Sequence, residues 1–153
     1  MALPPFTTLV EEHRTAVWGY LVAMTGPAAA PDLLQDTLLS ALRSYPTLKD
    51  ASNLRGWLIS VAHSRIVDSA RTRSRRPEVL GDVPDSGRHD ADVDDELWAA
   101  VQLLPDKQRH AIALRFVGDL PYAEIGSLTG TSEAAARQNV RAGLARLRQE
   151  LTP

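Results

Sequence analysis

The 153-residue chain predicts an all-α protein built from two small helical domains joined by a flexible acidic linker. Three observations predict it. Apolar residues recur at three- and four-residue spacing and nowhere alternate with period two. Proline and glycine cut the periodic stretches into helix-length pieces. One segment, 77–93, loses periodicity and is rich in Asp, Gly and Pro. The 44% hydrophobic content suffices for folded cores, and the scarcity of aromatics makes those cores aliphatic.

The first helix is expected to open at a capping box of Thr8 and Glu11 and to stop at Gly26 and Pro27. Its inward set is Val10, His13, Val17, Tyr20, Leu21 and Met24. Pro31 and Asp32 start a second helix, which turns Leu34, Leu38, Ala41, Leu42 and Tyr45 inward and ends at Pro46. A polar loop from Thr47 to Asn53 leads to a third helix, Leu54 to about Arg73. There Leu58, Val61, Ala62, Ile66 and Ala70 face inward, and Ser60, His63, Ser64, Val67 and Arg71 face away. The linker follows the cluster Arg71, Arg73, Arg75 and Arg76; fully stretched, its length covers roughly 55 to 60 Å. The second domain begins near Asp94 with Leu97, Trp98, Val101 and Leu104 on one face. Pro105 ends that helix and begins another, which contains Ile112, Leu114 and Phe116 and is closed by Gly118.

Residues Asp119 to Leu151 then read as a short helix, a glycine turn and a longer helix, the sequence form of a helix-turn-helix. Tyr122, Ile125 and Leu128 recur at three-residue spacing, and Gly130 stands where a helix end wants a residue that tolerates positive φ. Thr131 or Ser132 supplies the oxygen that caps the next helix. Along it Ala136, Val140, Leu144, Leu147 and Leu151 form an apolar stripe, which leaves Glu133, Ala134, Arg137, Gln138 and Arg141 outward. Arg137 and Arg141, four residues apart, stack on one face from which guanidinium groups reach phosphates or a guanine edge, and Gln138 suits adenine. DNA is therefore the expected partner. Gly143 is a weak spot in this helix, costing about 1 kcal/mol relative to alanine.

The formal net charge of -2 looks wrong for a DNA binder until it is divided along the chain: residues 1–80 carry +2, 81–96 carry -6 and 97–153 carry +2. So little excess positive charge neutralises few phosphates, and a larger partner is expected to hold the protein on DNA. With no cysteine there is no disulfide, thiol catalysis or cysteine-ligated zinc, which fits a reducing cytoplasm. The opening MALPPFTTLV has no basic residue and no long apolar run, so neither a signal peptide nor a membrane span is expected. Nothing suggests an enzyme or a cofactor. His13, His63, His89 and His110 are scattered, no phosphate-loop or dinucleotide fingerprint occurs, and His63 and Asp68 share no helix face.

Three ordered blocks carry a resemblance that covers nearly the whole chain: PDLLQDTLLSAL, NLRGWLISVAHSRIVDSAR and LLPDKQRHAIALRFVGDLPYAEIGSLTGTSEAAARQNV. Together they resemble the extracytoplasmic-function (ECF) sigma factors of the sigma-70 family, reduced to regions 2 and 4. The resemblance implies a region 2-like domain over 1–76, the linker 77–93 and a region 4-like domain over 94–153. Its implied partners are core RNA polymerase, promoter DNA and an anti-sigma factor. It assigns core binding to the polar side of the second helix, Asp32, Gln35, Asp36, Leu39 and Arg43. Opening of the minus-ten element falls to Asn53, Arg55, Ser60, His63, Ser64, Arg65 and Arg71, and the upstream element to Glu133, Ala134, Arg137, Gln138 and Arg141. Trp57 is read as core, with base stacking the alternative. The chain departs from the pattern at Ser60 and Ser64, where relatives carry arginine and asparagine, and at Pro121, where they carry a capping serine. Ala135 to Asn139 depart too, so no relative's promoter sequence transfers. The competing reading is a helix-turn-helix regulator whose N-terminal helices dimerise or bind a ligand.

Overall fold

The computed structural model describes residues 3–75 and 95–151; the predicted linker and both domain borders lie outside them, as do the side chains of Arg73 and Trp98. Among the described residues there are seven α-helices and one short 3-10 turn: α1 (Phe6–Thr25), α2 (Ala30–Ser44), the turn Tyr45–Thr47, α3 (Leu54–Arg75), α4 (Asp95–Gln102), α5 (Asp106–Phe116), α6 (Tyr122–Thr129) and α7 (Glu133–Leu151). They form two compact units, α1 to α3 and α4 to α7.

In the first unit each helix packs against the other two. α1 starts two residues before the predicted capping box. Pro5, extended at ψ 143°, is its N-cap, and the Pro5 carbonyl accepts from the Leu9 amide at 3.2 Å, so Thr8 lies inside the first turn. Gly26 ends α1 at φ 86°, as the sequence required. Leu9, Val17, Tyr20, Leu21, Ala23 and Met24 are buried, whereas Val10 and His13 are only half-buried. The Tyr45 hydroxyl donates to the Pro4 carbonyl, and its ring meets those of Phe6 and Trp57 with centroids 5.4 Å and 5.9 Å away. This cluster pins the N-terminal segment. Trp57 stands half-buried within it.

Two expectations about this unit need correction. On α2 the buried set is Ala30, Leu33, Leu34, Thr37 and Ala41, while Leu38 is half-buried and Leu42 is 51% exposed. Thr37 can sit inside because its hydroxyl donates to the Leu33 carbonyl at 2.6 Å, satisfying the polar atom within its own helix. On α3, Leu58, Ile59, Ala62 and His63 are buried, and Ala70 is exposed. α3 touches both α1 and α2, so its inward arc is wider than a single stripe and takes in His63. His63 is 5% exposed, and its Nδ1 lies 3.1 Å from the hydroxyl of the fully buried Tyr20. Desolvation drives the Tyr20 phenol far above its ordinary value, so it stays neutral.

In the second unit α7 packs on α4, α5 and α6. Val101, Leu104, Ile112, Leu114, Leu120, Ile125, Val140 and Leu147 form the core. Phe116 is 58% exposed. It borders an apolar groove of about 210 Å³ lined also by Leu97, Val101, Ile112, Leu144 and Leu147. At Gly143, expected as a weak spot, α5 packs close against α7: a Cβ there would run into the Ile112 side chain.

The hydrogen bond between Tyr20 and His63 predicts that Tyr20→Phe lowers stability by about 1 kcal/mol in urea denaturation. An unchanged midpoint and slope would show that this buried pair contributes nothing net.

Candidate nucleic-acid and protein interfaces

The junction of α6 and α7 is built from backbone geometry. Gly130 adopts the left-handed conformation, φ 69° and ψ 31°, that reverses the chain after α6. The Thr131 amide then donates to the Gly126 carbonyl at 2.8 Å. Gly126 lies so close to the returning strand of the turn that a Cβ would stand 2.9 Å from the Thr131 oxygen and the Ser132 carbonyl carbon. Sequence reading passed over Gly126, because a glycine with ordinary helical φ announces itself only through what packs on it. Of the two candidate caps, Ser132 is the one used: its Oγ accepts from the Ala135 amide at 3.0 Å. Thr131 instead pairs with the Thr129 hydroxyl at 3.0 Å.

With its start fixed this way, α7 exposes all five residues expected outward, Glu133, Ala134, Arg137, Gln138 and Arg141. Arg137 Nη2 bonds Glu133 Oε1 at 3.2 Å, one turn apart along the helix. Arg141 is exposed and carries no ion pair among the described residues. The exposed, donor-rich N-terminal half of α7 has the geometry that base edges in a major groove accept.

On α2 the residues expected at a protein interface share one face. Asp32, Gln35, Asp36, Leu39 and Arg43 are all exposed, Leu39 at 47%. Leu42, at three residues from Leu39, extends the apolar part of that face. It was missed because the leucine count of the helix exceeds what its interior holds; Thr37 and the small Ala30 and Ala41 take the inner positions.

The set expected on α3 separates. Ser60, Ser64 and Arg71 fall on one side of the helix with Val67, and Ser64 and Arg71 are exposed. Both serine hydroxyls turn back onto their own helix, Ser60 to the Trp57 carbonyl at 2.6 Å and Ser64 to the Ser60 carbonyl at 3.2 Å. Arg55 is exposed in the first turn, about half a turn round the axis from that face. Arg65 is flanking and tied to Asp68 at 2.5 Å. His63 does not belong to the surface at all, since α1 covers it and Tyr20 holds its ring. Asn53 is the N-cap of α3, its Oδ1 accepting from the Gly56 amide at 2.9 Å. That role suits an asparagine immediately before the helix.

Comparisons with known proteins follow the same division. Residues 9–76 match the family description Sigma-70 region 2, and residues 94–147 match Sigma-70, region 4. RNA polymerase sigma factor CarQ of Myxococcus xanthus is 32% identical over 95% of this chain and 88% of its own. ECF RNA polymerase sigma factor SigE of Mycolicibacterium smegmatis is 28% identical over 98% of this chain, which spans 63% of that protein. Among solved structures, the sigma factor RpoE in complex with the anti-sigma factor NepR from Bartonella quintana superposes with a TM-score of 0.73 at 22% identity, covering 95% of this chain and 96% of that one.

The cap at α3 sets an expected outcome. Asn53→Ala should cost about 1 kcal/mol of stability in denaturant melts, and Asn53→Asp should retain most of it, because aspartate caps as well as asparagine. Equal loss in both variants would contradict the capping role. At the α6–α7 turn, Gly130→Ala should cost about 1 to 2 kcal/mol by the same measurement; no change would mean the turn does not need its left-handed residue.

Proposed function

Because the chain belongs to the ECF RNA polymerase sigma factors of the sigma-70 family, we propose a division of its labour among particular residues. The chain recognises promoter DNA as part of RNA polymerase and promotes initiation; the polymerase does the chemistry. Residues 1–76 act as the core-binding and strand-opening domain, 77–93 as the tether and 94–153 as the upstream-reading domain. The observation that supports this is the exposed face of α7, five residues behind a tight turn built on Gly126, Gly130 and Ser132.

Within that scheme Arg141 and Gln138 contact the upstream element alongside Arg137, Glu133 and Ala134. The α2 face meets core polymerase through Asp32, Gln35, Asp36 and Arg43 around an apolar centre of Leu39, to which Leu42 adds. A charged rim around desolvated leucines is the composition of a protein interface, and the three charges here are exposed and without ion pairs among the described residues. Strand opening uses Ser60, Ser64 and Arg71, with Arg55 and Arg65 on phosphates; His63 and Asn53 have structural duties instead. An anti-sigma protein is the inhibitor this reading favours, as NepR is the partner of RpoE in the complex above.

Reconstitution with core polymerase tests the scheme. Mapped start sites should share one upstream motif; Arg141→Ala should weaken its use by about 5- to 100-fold. Leu39→Asp together with Leu42→Asp should reduce holoenzyme formation while leaving the helical circular dichroism intact. Starts unchanged by Arg141→Ala, or core affinity unchanged by the paired leucine change, would refute the respective assignment.

A further inference from the structure

One side chain on α6 holds two arginines. The guanidinium carbon of Arg115, on α5, lies 4.8 Å from the centroid of the Tyr122 ring, and that of Arg137, on α7, lies 5.0 Å from it. Such distances are within cation–π range, where the electron-rich ring face attracts the cation. Arg115 is anchored from behind, since its Nη1 donates to the Leu120 carbonyl at 3.0 Å. Arg137 is restrained a second time by Glu133, whose carboxylate takes one Nη2 hydrogen at 3.2 Å. The Tyr122 hydroxyl makes no hydrogen bond among the described residues, so the ring itself is what the site uses.

From this arrangement we propose that Tyr122 is a positioning residue for sequence readout, holding Arg137 in the pose that takes a guanine in the upstream element. The inference rests on α7 being the DNA-reading helix. Arginine has five donors in a rigid fork, and Glu133 occupies one side of it. The remaining donors suit the O6 and N7 acceptors of guanine, the commonest specific arginine contact in a major groove. An unrestrained arginine must give up its rotamer freedom on binding and reaches a phosphate as easily as a base. Held against a ring and a carboxylate, it gives up less of that freedom on binding, and its direction is biased beforehand. Arg141, with no such restraint, remains the more adaptable of the two.

The test uses holoenzyme made with the full chain and a set of promoters carrying each of the four base pairs at every upstream position. Wild type should prefer guanine at one position by about fivefold or more, and Arg137→Ala should abolish that preference alone. Tyr122→Phe, which keeps the ring, should preserve it. Tyr122→Leu should reduce it about three- to tenfold while preferences at the other upstream positions persist. The readout is a ratio between templates for one protein sample, so a smaller folded fraction cancels; Tyr122→Met serves if Tyr122→Leu does not fold. Uniform loss across all positions would overturn the proposal in favour of a phosphate or packing role, and so would undiminished discrimination in Tyr122→Leu. Loss in Tyr122→Phe equal to that in Tyr122→Leu would overturn it too, by assigning the role to the hydroxyl. If wild type instead shows no upstream base preference anywhere, the reading of α7 itself fails, a result distinct from the others.

Discussion

The contact on which the DNA-facing part of the molecule depends is backbone against backbone, at the place where the turn after α6 folds onto Gly126. Absence of a side chain there lets the Thr131 and Ser132 peptides approach closely enough for the Thr131 amide to reach the Gly126 carbonyl. Gly130 supplies the reversal and Ser132 the cap, so three small residues within seven positions set the angle at which α7 leaves. A recognition face is useful only if its direction is constant. Side chains such as Arg137 and Arg141 inherit their positions from this turn, and Ile125, fully buried, fastens α6 to the core beneath it.

The two units place their polar residues by different means. In the second, the outward arginines sit on a helix with one broad side against its neighbours and the other toward solvent, so they stay exposed. In the first, polar atoms are drawn into structural work. Tyr20 and His63 satisfy each other across α1 and α3, Thr37 bonds its own helix, and Asn53 caps. Each is a buried or half-buried polar group whose partner offsets the cost of leaving water. Among the described residues, α3 carries Arg55, Arg65 and Arg71 beside two serine hydroxyls that bond their own helix, whereas α2 keeps Asp32, Asp36 and Arg43 exposed.

How far these features were legible from sequence follows from the packing. The helices, their breaks and all five outward residues of α7 could be read from the helical period, although Leu144 and Leu151 of its expected apolar stripe are 36% and 38% exposed. The same rule failed on α3, where contact with two neighbours widens the buried arc to include Ile59 and His63. It failed on α2 because five leucines, Leu33, Leu34, Leu38, Leu39 and Leu42, do not say which of them an interior lined by Thr37 and Ala41 excludes. Gly143 read as a defect since propensity was visible and the approach of Ile112 was not. The pairing of Arg137 with Tyr122 spans fifteen residues and two helices, beyond any local spacing rule.

The two exposed leucines of α2 also bear on the life of the free chain. Leu39 and Leu42 lie side by side among charges that keep the protein dispersed but do not cover the hydrocarbon. An exposed apolar patch of this kind is a place where other apolar surfaces, a second copy of the chain included, can adhere. If the α2 face docks as proposed, the two side chains that attract a mate are also the ones that leave an unmated molecule open to self-association.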